Sequence, residues 1–399
     1  MKTREVKLGE VANVKGGKRI PKGIGLINIP NGHPYIRVRD LNNKRVLELD
    51  NSYEYVDNET QKVISKYTVK TGDVVLSIVG TIGLVAIVGR TLDGANLTEN
   101  CVKLSSFHGV NRDFLYYYLR SDCGQQEIRC GTVGAVQAKL PIKNIQNIAI
   151  NLPDYTTQER IASLLLSIDR KIELNQKIND NLEQQAVTYF QELYINNANP
   201  MWQIGTISDL GTVVGGSTPS KTKPEYYTNN GIAWITPKDL SINKSKFISH
   251  GENDITELGL KNSSATVMPK GTVLFSSRAP IGYIAIVSNE VTTNQGFKSV
   301  VPYLEIGTAF VYFFLKHSLP VIESAASGST FKEISGSAMK NIPAIIPDRS
   351  TLDQFNSFCA PIFAQQKILE DQNYSLAMLR DSLLPKLMSG AIDIASIQL

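Results

Sequence analysis

The chain has 399 residues, 42% hydrophobic and 20% charged, with a formal net charge of +4. That is ordinary for a soluble protein of two or three domains. The longest uncharged run, 74–89, is too short and too rich in Gly and Thr to span a membrane, and MKTREVKLGE lacks the apolar core of a signal peptide. Four cysteines without a C-x-x-C make no zinc or disulfide framework, so a cytoplasmic chain is expected.

The first globule is expected at 1–153. Short β-branched runs at 35–38, 74–79 and 84–88, broken by Gly, Asn and Pro, predict strands. One short amphipathic helix is predicted at 114–120. The globule therefore reads as mainly β. It carries 21 Lys and Arg against 14 Asp and Glu.

A long helix follows within 154–195. TTQERIASLLLSIDRKIELNQKINDNLEQQAVTYFQELYI, from Thr156, contains neither Gly nor Pro. Apolar residues recur at Ile161, Leu165, Ile168, Ile172, Leu182, Ala186, Tyr189 and Leu193, the spacing of a helix that packs lengthwise on another. Thr156 and Glu159 form a capping box on this reading. At about 1.5 Å per residue the helix is about 60 Å long. Asn175 and Asn179 take two seam positions, where a buried Asn fixes register.

The second globule, 196–347, repeats the first. LGEVANVKGGK from Leu8 matches ISDLGTVVGGS from Ile207, YIRVRDL from Tyr35 matches WITPKDL from Trp234, and FLYYYLRS from Phe114 matches FVYFFLKH from Phe310. It carries 12 basic against 10 acidic side chains. A second long helix lies in 348–399, where Pro347, Ser350 and Asp353 repeat Pro153, Thr156 and Glu159. Its seam is Phe355, Phe358, Ile362, Leu369, Asn373, Leu376, Leu383 and Leu387. Pro385 is expected to bend its last turn and Gly390 to stop it. Both helical regions are acidic, 4 basic against 7 acidic and 4 against 6, while the globules are basic, which suits a polyanion partner.

The expected architecture is α+β. Two mainly-β globules are related by a pseudo-two-fold axis and separated by two long antiparallel, coiled-coil-like helices. Duplex DNA has two-fold axes of its own, so such a molecule matches two half-sites, which differ because the globules differ. Leu164, Leu174 and Ile178 on the first helix and Ile368 and Leu379 on the second make a further apolar face, the mark of another partner.

No G-x-G-x-x-G, F-x-G-x-G or Walker A loop is present. Asn151-Leu152-Pro153-Asp154 lacks the second Pro and the aromatic of N-P-P-Y. The pattern P-D…D-x-K places Asp169 and Lys171 on a helix, where they cannot gather around a metal as strand residues do.

Binding residues emerge from comparing the halves. Shared Gly16-Gly17 and Gly215-Gly216, Gly72 and Gly271, Gly83 and Gly282, and Asp40 and Asp239 read as turns and caps. Arg39 and Lys238, and Lys22 and Lys221, are basic in both and suit phosphate contacts. Lys18, Arg19 and Arg37 face Ser217, Thr218 and Thr236, while Arg278 faces Val79. These are base-reading candidates, since Arg donates two hydrogen bonds to guanine. Gln137 and Lys332 lie in corresponding late loops.

The duplicated globule openings LGEVANVKGGK and ISDLGTVVGGSTP, the region NLPDYTTQERIASLLLSIDRKIELNQKINDNLEQQA and the ending MLRDSLLPKLMSGAIDI resemble the specificity subunits of Type I restriction–modification systems. The resemblance covers nearly the whole chain. It implies that each globule is a target recognition domain for half of a split double-stranded DNA sequence. It also implies that the helices space the globules and dock two methyltransferase subunits, joined by motor endonuclease subunits. S-adenosylmethionine, ATP and Mg are then expected on those partners, with no cofactor, metal or catalytic residue in this chain. The competing expectation is a coiled-coil scaffold displaying two globules for protein or carbohydrate ligands.

Overall fold

Alternation with period two builds the first half. Val74, Leu76, Val85, Ile87, Val102 and Leu104 point to one face of a sheet, and Val75, Ala86, Val88 and Cys101 to the other, all buried. The structure is a computed structural model that describes residues 2–41, 44–134, 136–328 and 332–394. The chain divides into two compact units, Met1–Lys171 with Ser375–Leu399 and Ile172–Tyr374, so each long helix contributes to both.

In the first unit the sheet runs in the order Asn13–Gly16, Cys101–Ser105, Val74–Ser77, Val85–Val88, Val46–Leu47, antiparallel except for the last, parallel pair. One face packs on the helix Arg112–Arg120, the other on Ile36, Leu41, Leu47 and Leu97. Asn111 caps that helix, its side-chain Oδ1 accepting from the N–H groups of Asp113 and Phe114 at 3.0 Å each. The predicted helix forms, and Phe114, Leu115, Tyr116, Tyr117, Tyr118 and Leu119 are all buried, so its outer side is covered as well. The helix Asp122–Gly131, which the sequence pattern did not predict, follows it directly and covers its outer side. A ribbon of Thr3–Lys7 paired with Ala149–Pro153 delivers the chain into the first long helix.

That helix runs from Tyr155 to Gln191. Its cap is Asp154, not the expected Thr156–Glu159 box. The Asp154 carboxylate accepts from the Thr157 N–H at 2.9 Å and the Thr157 hydroxyl at 2.7 Å. Asp154 precedes the first helical residue, whereas Thr156 already lies within the first turn. Ile161, Leu165 and Ile168 are buried; Ile161 and Leu165 share a core with Leu387 and Met388 of the second long helix. Arg380 donates to Asp169 at 2.8 Å, so within this unit the segments run antiparallel. Leu164, expected on an outer face, is partly buried against this core, and Leu376 is also partly buried.

The second unit repeats the plan. Its sheet order is Gly211–Gly215, Lys298–Pro302, Val273–Ser277, Ile281–Val287, Phe247–Ile248. The helix Thr308–His317 packs on it and the ribbon of Gln203–Thr206 with Pro343–Ile346 closes it. Asp348 caps the second long helix, Arg349–Met388, as Asp154 caps the first, accepting from the Thr351 N–H at 3.0 Å. Phe355, Ile362 and Leu369 are buried, and Ile172, Asn179, Leu182 and Asn373 partly so. Asn175 is fully buried. Gln366 donates to the Asn179 carbonyl at 3.1 Å.

Two details of the seam differ from expectation. Phe358 is 39% exposed and Cys359 takes the inner position, while Phe190 and Tyr194 are more buried than Tyr189 and Leu193. A straight helix of 3.6 residues per turn drifts by about 20° per heptad, so a seam that starts on one row ends on the next. The second helix also continues through Pro385 to Met388, and Gly390, at φ 75°, ends it.

Candidate nucleic-acid interface

In the second unit a cleft of about 510 Å³ opens at the loop end of the sheet. Gly216 makes the crossing possible: a Cβ there would lie 2.0 Å from the Asn294 carbonyl oxygen. The next residues therefore run against the strand Thr292–Thr293, with the Ser217 N–H donating to the Thr293 carbonyl at 2.8 Å. Asp239 organises the opposite wall. Its carboxylate accepts from the Thr236 N–H at 2.7 Å and from the Glu252 N–H at 2.8 Å.

Three sequence candidates, Lys221, Lys238 and Arg278, line this one cleft, with Thr218 and Thr236 between them. Lys238 is exposed and pairs with Glu252 at 2.6 Å, which holds its ammonium above the usual range. Arg278 donates to Glu333 at 3.3 Å, and Lys298 reaches the same carboxylate at 3.6 Å. Two cations on one anion leave that wall net positive. Lys298, Asn294 and Gln295 were missed in the sequence. The halves did carry a signal for Lys298: it takes the place of Val102 in the sheet register, as Arg278 takes that of Val79.

The first unit has the same loop end with different side chains. A Cβ on Gly17 would lie 2.1 Å from the Thr98 carbonyl oxygen. Lys18 then donates its N–H to Leu97 at 2.8 Å, and its ammonium lies 5.7 Å from the Tyr67 ring centre. Arg19 pairs with Glu99 at 2.5 Å. Arg37 and Arg39, sorted above into different roles, are brought to the same carboxylate: Arg37 bonds Glu54, and Arg39 bonds it at 2.8 Å. Beside them burial pushes the Asp40 carboxyl up to about 6, although Arg39 pulls it down. Lys22, Gln137 and Lys332 are exposed and join none of these groups.

Two stretches of the chain, residues 2–184 and 199–371, match the model of the Type I restriction modification DNA specificity domain. The chain belongs to this family. Over 162 residues it is 42% identical to the Type I restriction enzyme MjaIX specificity subunit of Methanocaldococcus jannaschii, an alignment covering 40% of this chain and 37% of that one. Over 341 residues it is 23% identical to the HindI specificity subunit of Haemophilus influenzae, covering 67% and 73%. The crystal structure of the Type I restriction–modification S subunit from M. genitalium shares the fold, with a TM-score of 0.56 at 16% identity over 97% of this chain and 99% of that one. Membership accounts for the tandem pattern: a specificity domain occurs twice, and the loop end of each is where the halves diverge.

Proposed function

We propose that the chain is the DNA-recognition subunit of a Type I restriction–modification complex, in which each unit reads one half of a split, asymmetric target and the complex methylates adenine or cuts. The observation that carries this reading is the matched pair of loop ends. The same glycine-turned loop bears Lys18 and Arg19 in one unit and Ser217 and Thr218 in the other. The same bridge position bears Val79 in one and Arg278 in the other. Equal scaffolds with unequal polar residues are what two different half-sites require.

On this reading Lys18, Arg19, Arg37, Arg278 and the late-loop Gln137 and Lys332 approach bases, and Lys22, Arg39, Lys221 and Lys238 approach phosphates. Segments 1–153 and 196–347 are the recognition domains, and 154–195 and 348–399 the helical ones. Leu174, Ile178, Ile368 and Leu379 stay exposed on the long helices, at 53%, 38%, 49% and 47%, and offer apolar contacts to two methyltransferase subunits. Those subunits and the motor endonuclease supply S-adenosylmethionine, ATP and Mg chemistry. The complex works on chromosomal DNA, in the cytoplasm.

A genome-wide methylation map with and without the chain tests this. One bipartite motif that disappears with the chain is the expected result. A salt titration separates the scaffold alternative: phosphate neutralisation makes DNA affinity fall steeply with salt, and a protein- or carbohydrate-binding scaffold shows no such DNA binding.

A further inference from the structure

The first unit carries a second basic cleft whose arginines its twin does not repeat. About 250 Å³ in volume, it is lined by Arg45, Arg90, Arg112 and Arg170, with Glu48 and Asp113 as its acids. Both acids are engaged. Asp113 accepts from Arg45 at 3.3 Å and from Arg112 at 2.6 Å. Glu48 accepts from the N–H groups of Arg90 and Thr91 and from the Thr91 hydroxyl. Arg90 and Arg170 are exposed, and among the described residues neither side chain makes an ion pair or hydrogen bond. Arg112 keeps its Nε buried with no hydrogen-bond partner, and its Nη1 lies over Gly72, 3.3 Å from where a Cβ would stand.

Position sets this cleft apart from the reading loops. Val74–Ser77 starts beside Gly72 and ends at the loop end; Val85–Val88 starts at the loop end and finishes beside Arg90. The cleft therefore lies a full strand length, about 14 Å, from the loops that carry Lys18, Arg19 and Val79. A duplex lying across those loops does not reach it. The repeat supplies a control. In register, Arg90, Arg112, Asp113 and Arg170 correspond to Asn289, Thr308, Ala309 and Ala364, and Arg45 corresponds to Lys246, which is buried against Glu183. Two copies of one scaffold differ here by the exposed Arg90 and Arg170 and the half-buried Arg112, so the two exposed arginines do not serve the scaffold.

We propose that this cleft receives the carboxylates of an acidic protein segment, from a partner that engages the first half of the chain and not the second. The assignment of the loop end to DNA, on which this rests, excludes the half-site duplex itself. Charge and shape favour a carboxylate. The cleft admits one or two side chains rather than a continuous strand, and guanidinium groups grip carboxylates in bidentate fashion.

The test uses the full chain, unmodified and with Arg90→Gln plus Arg170→Gln, and two fluorescein-labelled probes followed by anisotropy: a hexaglutamate peptide and a thymidine hexanucleotide. A 40-base-pair genomic duplex is titrated alongside. The double substitution is expected to weaken the peptide by about fivefold and to change nucleotide and duplex binding by less than about twofold. Peptide affinity that does not change overturns the proposal. So does a loss of nucleotide or duplex affinity as large as that of the peptide, which would make the cleft a nucleic-acid surface. If the unmodified chain binds no duplex, the DNA reading fails; a peptide loss confined to the double variant still upholds the acidic-segment site.

Discussion

Asn175 donates its side-chain amide to Asn373 Oδ1 across 2.9 Å, joining the two long helices within the second unit through a half-buried polar contact. Asn175 Oδ1 has no partner of its own. Replacing Asn175 by Leu removes this partner of Asn373, and replacing Asn373 leaves the Asn175 amide only a 3.3 Å bond to Gln372; each is expected to cost about 1–3 kcal/mol. Replacing both removes the stranded groups, so Asn175→Leu with Asn373→Leu recovers most of that loss while freeing the register. Urea unfolding of the three variants reads the first effect. A double variant less stable than both singles contradicts it.

Lys246 ties the edge strand of the second sheet to both long helices. Its ammonium pairs with Glu183, bonds Gln366 at 2.6 Å and lies 4.2 Å from the Phe363 ring centre, while its N–H donates to Glu370 at 2.8 Å. Lys246→Met leaves Glu183 to Lys316 alone and is expected to cost about 3–5 kcal/mol, the usual toll for breaking a buried pair. A loss below about 1 kcal/mol by calorimetry means that water reaches the site.

The same pair sets an acid limit. Burial works to raise the Glu183 carboxyl, but Lys246 and Lys316 prevail and hold it below its ordinary 4.5. A depressed carboxyl contributes stability that is present above 4.5 and lost as pH falls through the folded value. Glu183→Gln is therefore expected to lower stability at neutral pH and to flatten its decline below about pH 4.5. Parallel acid-unfolding curves for the variant and the parent are inconsistent with this.

Glu333 restrains both Arg278 and Lys298. Under the proposed function, Arg278→Ala relaxes discrimination at one base by about 1–3 kcal/mol, whereas Lys238→Ala weakens all sequences alike. Glu333→Gln frees both cations and raises affinity for every sequence. Binding to a library of mutated targets checks all three; a uniform loss for Arg278→Ala reverses its assignment.

Spacer length offers an independent check. Four residues inserted into both long helices, between Asp169 and Asn175 in the first and between Asn373 and Arg380 in the second, add about 6 Å and about 40° beyond a full turn. One base pair advances DNA by about 3.4 Å and about 34–36°. The half-sequences are expected to persist with a spacer about one base pair longer. Insertion into the first helix alone would shift Asn175 and Glu183 past their partners, so both helices must grow. Methylome sequencing that shows the original spacing rejects this.

The sequence by itself determined what repeats. The tandem halves, the strand runs, the two long helices and the family were all legible, because period-two and heptad patterns and recurring glycine turns are local. So was the placing of Ile161, Leu165, Phe355 and Ile362 on buried faces. Tertiary structure decided what distant residues do to one another. Asp154 displaced Thr156 as cap because only backbone geometry says which residue precedes the first turn. Arg37 and Arg39 meet on Glu54, and Arg278 and Lys298 on Glu333, through sheet pairings that no local pattern records. Lys246, an unremarked lysine in the chain, became a buried cation because the edge strand lays it between two helices. Pattern reports which face of an element is apolar; which charges then share that face depends on contacts made between residues tens to hundreds of positions apart.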